Sequence, residues 1–182
     1  MPRPKTIDRN AILAAAEELI TETGGLHFTM DMVAARAGIS KGGLTYSYPS
    51  KDALIEDMLR RELERFCAER STLAGSRDPH AQMRAHVAAS AAQQDLYLKR
   101  AAHLMAALSN DPRHLGVVKN FYRHAFELAD PRTEEGKRAR HAFLATEGLF
   151  LLRGLGLMDV SDTEWDDIFA FALSELDAGH KE

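Results

Sequence analysis

Apolar residues recur at helical spacing along almost the whole chain, and no stretch alternates with the period of two that a strand needs. From Asp8 to Glu22, Ile12, Leu13, Ala16, Leu19 and Ile20 form one face of a helix that Gly24-Gly25 closes. Phe28 then seeds a core. Met30, Val33, Ala34 and Ala37 give a second, short stripe behind Thr29 as N-cap. Gly38 breaks that helix by taking a left-handed conformation closed to most residues, Ile39 is an apolar plug, and Ser40 caps a third helix that Pro49 stops. Leu44 and Tyr48, four apart, face inward. Ser50 caps a fourth helix reaching about Leu73, with Leu54, Met58, Arg61 and Arg65 on one strip and Ile55, Leu59, Leu63 and Phe66 nearer the apolar side. Gly75-Ser76-Arg77 is a linker.

The second half repeats one starting signal. Asp78-Pro79, Asp111-Pro112 and Asp130-Pro131 each place an N-cap acid before a proline suited to the first helical position, and Ser161 to Glu164 form a capping box. With a break near Asp95, helices are predicted over 79–93, 96–109, 112–129, 132–154 and 162–178. The predicted fold class is all-α. Residues 1–51 form a three-helix head containing a helix-turn-helix, and 52–182 a helical domain entered through a connecting helix at 52–74. From Ala142 to Leu152 the chain is apolar nearly all round, so this helix must be covered on both sides, by its own domain and by a second subunit. Gly148 is the predicted point of close approach. The final helix adds Trp165, Ile168, Phe169, Ala172, Leu173 and Leu176, and the two helices with their mates would make a four-helix bundle.

The chemistry of the third helix suits a polyanion. A helix N-terminus offers free N–H groups and a positive dipole end, Gly42 and Gly43 hold no side chain against a phosphate, and Lys41 adds a charge. Thr45, Tyr46 and Ser47 present hydroxyls for phosphates or base edges, and Lys51 stands where a phosphate clamp would sit. A packed helical corner with glycines for close approach accounts for the same pattern without DNA.

These residues resemble the tetracycline-repressor (TetR) family of one-component transcriptional regulators. The family pattern T-x-x-x-[IV]-A-x-x-A-G-[VI]-S-K-G is met by Thr29, Val33, Ala34, Ala37, Gly38, Ile39, Ser40, Lys41 and Gly42, and continues through Leu44, Tyr46, Ser50, Lys51, Asp52 and Leu54. Gly43, Ser47 and Tyr48 depart from it, standing where Thr or Ala, His or Tyr, and Phe are usual. The resemblance implies a homodimer that binds a near-palindromic double-stranded DNA operator, with two reading heads roughly one DNA turn (~34 Å) apart or at a wider family-specific spacing. It implies contacts from Thr29, Ser40, Lys41, Gly42, Gly43, Thr45, Tyr46, Ser47 and Lys51.

Charge refines this picture. The net of −4 divides into +1 over residues 1–51 and −5 over the remainder, so affinity for DNA of any sequence should be modest and salt-sensitive. Arg3 and Lys5 form a short basic arm held out of a helix by prolines, a frayed tail or a minor-groove contact. A single cysteine, Cys67, rules out an internal disulfide and fits a reducing compartment, with buried packing as its expected role. No apolar run approaches the ~20 residues that span a bilayer, and MPRPK is no signal peptide, so a cytoplasmic protein with no membrane partner is expected.

The C-terminal half also resembles one branch of that family, in which it encloses a small-molecule pocket. Candidate lining residues are His86, Tyr97, His103, Phe121, Tyr122, Phe143 and Glu147, with Met83, Val87, Gln94, Met105, Phe126 and Phe150 beside them. Glu147, a carboxylate on an apolar helix, either receives a cationic effector, pairs with an arginine or caps a bond at a dimer seam; a structural partner is the favoured reading. The eight histidines lack metal-ligand spacing, and neither a nucleophile elbow nor a phosphate-cradling loop is present, so no enzyme, metal or cofactor is expected. The sequence reads as a ligand-responsive, DNA-binding transcriptional repressor released from its operator by a small molecule, with a helical ligand-binding or protein-interaction dimer that no longer reads DNA as the alternative.

Overall fold

The computed structural model describes residues 8–23, 27–108 and 115–179. Among them lie nine helices and no strand: α1 (Arg9–Thr23), α2 (Met30–Arg36), α3 (Lys41–Ser47), α4 (Lys51–Ala74), α5 (Pro79–Ala91), α6 (Asp95–Leu108), α7 (Gly116–Glu127), α8 (Glu134–Gly154) and α9 (Asp162–Gly179). The fold is all-α, as the helical periodicity predicts. Arg3, Lys5, Gly24-Gly25 and Asp111-Pro112 lie outside the described residues.

Side-chain caps place most helix starts where the sequence puts them. Thr29, Ser40 and Ser50 accept the amide hydrogens of Met32, Gly43 and Ala53 at 3.2, 3.1 and 3.1 Å, and Asp78 accepts that of Ala81 at 2.8 Å. The capping box closes in both directions, Ser161 N–H donating to Glu164 at 2.9 Å and Glu164 N–H to Ser161 Oγ at 3.3 Å. Asp130-Pro131 is a correction. The Asp130 carboxylate is taken by the backbone and guanidinium of Arg132 at 2.9 and 2.7 Å, and Thr133 caps α8 instead, accepting from Gly136 N–H at 2.9 Å. Arg132 holds the Asp130 pKa down at about 2.

Two hydrophobic clusters organise these helices. The first joins Ile12, Leu19, Phe28, Val33, Leu44, Tyr48, Leu54, Met58 and Leu59, and it takes in Leu104 of α6 and Val118 of α7. The second packs Met83, Val87, Leu98, Phe143, Leu149, Trp165, Phe169 and Leu176. Full burial of such side chains is worth about 1.5–3 kcal/mol each, so α4, which gives Leu54, Ile55, Met58, Leu59 and Leu63 to the first cluster and packs against α5 and α6, cannot shift without disturbing the head. Gly154 provides the close helix approach within the protomer, because a Cβ there would lie 2.7 Å from that of Ala102 on α6. Around Gly148 there is open space.

Candidate DNA-reading surface and ligand cavity

The head is built around Tyr48, which follows α3 and is 1% exposed. Its hydroxyl donates to Asp57 Oδ2 of α4 at 2.6 Å, and the Arg9 guanidinium of α1 lies 4.7 Å from the ring centre and 3.8 Å from the same carboxylate. Arg9 also donates to the Ser47 carbonyl at 3.4 Å. Burial, then the bond to Asp57, pushes the Tyr48 pKa up to about 12. Two helices, α1 and α4, are thereby tied to the C-terminal end of α3, and the departure of Tyr48 from the family's usual Phe acquires a reason. No sequence pattern links Arg9 to Asp57.

The outer side of the same helix is open. Tyr46 is 89% exposed, Gly42 has clear space where a Cβ would stand, and Lys41 and Thr45 face solvent. Lys41 reaches across to Asp31 of α2 at 3.0 Å, an exposed pair that costs little to break. Thr29 and Ser40 spend their hydroxyls on caps, Thr45 Oγ1 donates to the Lys41 carbonyl at 2.9 Å, and Gly43 and Ser47 are half-buried. Lys51, at the position of a phosphate clamp, is already engaged within the head. Its ammonium donates to the Phe28 carbonyl at 2.8 Å and sits 4.4 Å from the Phe28 ring centre, and burial lowers its pKa.

The helical domain holds a small apolar cavity of about 60 Å³, lined by Leu63 and Phe66 of α4, Ser90 and Gln93, Tyr97, Ala101 and Met105 of α6, Phe121 of α7, and Glu147 and Phe150 of α8, with Glu62 at its edge. Of the residues anticipated from sequence, Tyr97, Phe121, Glu147, Met105 and Phe150 line it. His86, Tyr122 and Phe143 stand behind this wall. His86 is 0% exposed, with ring centres of Phe66 and Phe143 at 5.1 and 5.2 Å, and its Nε2 meets Glu147 Oε1 at 2.7 Å. The structural partner of Glu147 is therefore a histidine rather than an arginine. Tyr122 donates to Met105 Sδ at 3.4 Å, and burial followed by the nearby Glu147 charge raises its pKa.

His103 is a correction. Its Nδ1 lies 2.6 Å from the Lys99 carbonyl one turn back, so its ring folds along its own helix and lines none of the cavity. Met83 and Val87 belong to the second hydrophobic cluster, and Phe126 packs under Arg140. Cys67 is half-buried on α4, and burial pushes its thiol pKa up, which leaves little thiolate for chemistry.

Beside the cavity a polar cleft of about 400 Å³ shares Glu62, Phe66, Gln93 and Tyr97 with it and adds Glu17, Arg65, Glu69 and Arg100. Its charges form a chain. Arg100 of α6 stacks on Tyr97 at 4.8 Å and donates to Glu62 at 2.5 Å; Arg65 donates to Glu62 at 2.9 Å and lies 3.5 Å from Glu17 of α1. Burial raises the Glu62 pKa, against the pull of both guanidiniums. The cavity wall is thus joined to the reading head by successive ion pairs. The sequence places Phe66 on the apolar side of its helix, but nothing in it marks Glu62 or Arg100.

A capped helix-turn-helix carried by a long helix into a cavity-bearing helical domain defines a ligand-sensing, DNA-binding regulator as a class. Residues 12–58 match the family model of bacterial regulatory proteins of the tetR family, and residues 80–176 match that of the tetracyclin repressor-like C-terminal domain. The chain belongs to the TetR family of transcriptional regulators. It is similar in structure to a TetR transcription regulator from Haloarcula marismortui, with a TM-score of 0.71 and 18% identity over 94% of this chain and 97% of that one. A TetR-family member from Streptomyces coelicolor, SCO1917, gives a TM-score of 0.68 and 20% identity over 90% and 96%. The multidrug binding protein EbrR, in complex with imidazole, gives 0.69 and 19% over 94% and 96%. A search of the curated proteins found no match. Among the described residues no helix is long and apolar enough to cross a membrane, and no cluster of metal-ligating side chains is present.

Proposed function

We propose that this chain is a homodimeric repressor that leaves a near-palindromic operator when a small molecule enters the cavity. The observation that carries this reading is the ion-pair chain from Tyr97, through Arg100, Glu62 and Arg65, to Glu17 of the head. A ligand that displaces Tyr97 shifts α6 against α4, and the head moves with α4 and α1. Release then follows because the ligand prefers the conformation in which the two heads no longer match the operator spacing.

In this reading residues 1–51 read DNA and 52–182 sense and dimerise. Lys41, Gly42, Gly43, Thr45, Tyr46 and Ser47 contact the operator, while Thr29, Ser40 and Lys51 position the helices that do. Support for the dimer comes from α8 and α9, where Leu144, Leu152, Ile168 and Phe171 face outward, Leu144 at 56% and Phe171 at 67% exposure. Large apolar side chains clustered on one face mark an interaction surface, and a two-fold pairing of these helices buries them. In this reading the protein works in the cytoplasm, beside the DNA it reads.

A mobility shift on the DNA upstream of its own gene, with random-DNA competitor at near-physiological salt, tests the reading. A competitor-resistant complex is the expected result. A folded dimer that shifts no site would instead favour a helical interaction module.

A further inference from the structure

We propose that the effector is an organic cation with an aromatic or apolar body, its charge set against Glu147 and its body among Phe66, Tyr97, Phe121 and Phe150. This deepens the regulator reading and rests on it. Glu147 is the carboxylate-bearing residue of the α8 wall of the cavity, and among the described residues no lysine or arginine nitrogen lies within 4 Å of its carboxylate. Its partners are two uncharged donors, the Tyr122 hydroxyl, whose pKa the Glu147 carboxylate helps to raise, and the His86 ring, enclosed by Phe66, Phe121 and Phe143. His86 Nδ1 is buried without a hydrogen-bond partner, so the tautomer with its hydrogen on Nε2 costs least: it leaves a bare acceptor rather than a bare donor. In that tautomer the ring gives Glu147 a donor and no countercharge. The second carboxylate at the cavity, Glu62, is by contrast already held by Arg65 and Arg100.

The surroundings favour the same sign of ligand. Cavity and cleft together present four carboxylates, Glu17, Glu62, Glu69 and Glu147, against two guanidiniums, Arg65 and Arg100, both engaged. A desolvated carboxylate without a full countercharge gains most from a cation brought to it, and aromatic faces add attraction for a cation while repelling an anion. At about 60 Å³ the inner space is too small for such a guest, whereas the cleft beyond it offers about 400 Å³. Tyr97, on the wall common to both and 40% exposed, is the side chain whose rotation joins them. The joined volume falls within the roughly 300–1,000 Å³ of small-molecule sites.

The test is calorimetric titration of the full-length protein with three probes of one shape: benzyltrimethylammonium, its neutral isostere neopentylbenzene, and the anion phenylmethanesulfonate. The expected ranking is cation first, by about tenfold or more over the neutral probe, with the anion not binding. Glu147→Gln, which keeps an oxygen to accept from His86, is expected to erase that preference, and Glu147→Asp to restore part of it. Equal binding of cation and neutral probe, preference for the anion, an unchanged ranking in Glu147→Gln, or no binding of the cation at millimolar concentration each overturns the proposal. The wild-type ranking stands even if a variant fails to fold. A parallel mobility shift separates the two readings: operator binding without cation preference sinks the cation and spares the regulator, whereas cation preference without operator binding does the reverse.

Discussion

The hydroxyl of Tyr48 and the carboxylate of Asp57 meet at 2.6 Å between the end of the reading helix and the first turns of α4, with Arg9 of α1 lying over the Tyr48 ring. Tyr48→Phe keeps the packing and leaves Asp57 with its arginines. A loss of about 1 kcal/mol in denaturant unfolding is expected. The pH dependence has a defined sign. Because the folded pKa, about 12, exceeds the ordinary tyrosine value near ~10, the contribution is present below pH ~10 and is lost as pH rises toward ~12. In the Tyr48→Phe variant the stability profile between pH 9 and 11 should therefore be flatter than in the wild type, on the order of a fraction of the unfolding free energy.

Lys41 and Lys51 should separate cleanly. Lys41→Ala removes an exposed charge from the reading face, so operator affinity falls and the log–log salt slope flattens by about one. Lys51→Ala takes the donor from the Phe28 carbonyl and the cation from its ring, so it should cost about 1.5–3 kcal/mol of stability. A Lys51→Ala protein with unchanged stability and a flattened salt slope would return Lys51 to the phosphate-clamp role.

Tyr46, projecting from the reading helix, is placed to touch base edges. Tyr46→Ala should lower operator affinity by about 1–3 kcal/mol while leaving random-DNA affinity nearly unchanged. Equal losses on both DNAs would make it a phosphate contact.

Phe171→Glu or Leu144→Glu puts a charge in the centre of the outward apolar face of α8 and α9. Sedimentation velocity is expected to give a dimer for the wild type, as proposed, and a monomer of unchanged helicity for either variant, since burying an unpaired charge costs several kcal/mol. A dimer that survives both substitutions places the interface elsewhere.

Gly136 lies against the backbone of Asp130, and a Cβ there would overlap the Asp130 carbonyl. Alanine normally favours a helix over glycine by about 1 kcal/mol, but the obstacle here is backbone, which cannot swing aside as a side chain would. Gly136→Ala should lower the unfolding free energy by about 1–3 kcal/mol net, read from denaturant unfolding. A stabilised variant would mean that the turn at 130–133 relaxes.

Much of this fold is legible in one dimension because helices are local objects. Caps at Thr29, Ser40, Ser50, Asp78 and Ser161, the left-handed Gly38 at φ +65°, and stripes such as Ile12 to Ile20 depend on neighbours within a few residues. Where the sequence misled, a competing bond won: Arg132 took Asp130 from the helix start, and the Lys99 carbonyl holds His103 off the cavity lining, while Lys51 carries a bond to the Phe28 carbonyl that its position does not announce. The cavity was half legible. Tyr97, Phe121 and Glu147 stand out as aromatic or charged residues on otherwise unremarked helices, but Glu62 and Ser90 look like ordinary helix surface until α4, α5 and α6 are packed together.

By itself the sequence determined the helices, the order in which they follow one another and the reading motif, since each rests on spacing, capping and side-chain type within a turn or two. Tertiary structure alone decided which charges meet. Arg9 finds Asp57 across 48 residues and His86 finds Glu147 across 61. Such pairs form because close packing and the cost of burying an unmatched polar group leave these side chains few other places to go, and neither condition exists until the helices have assembled.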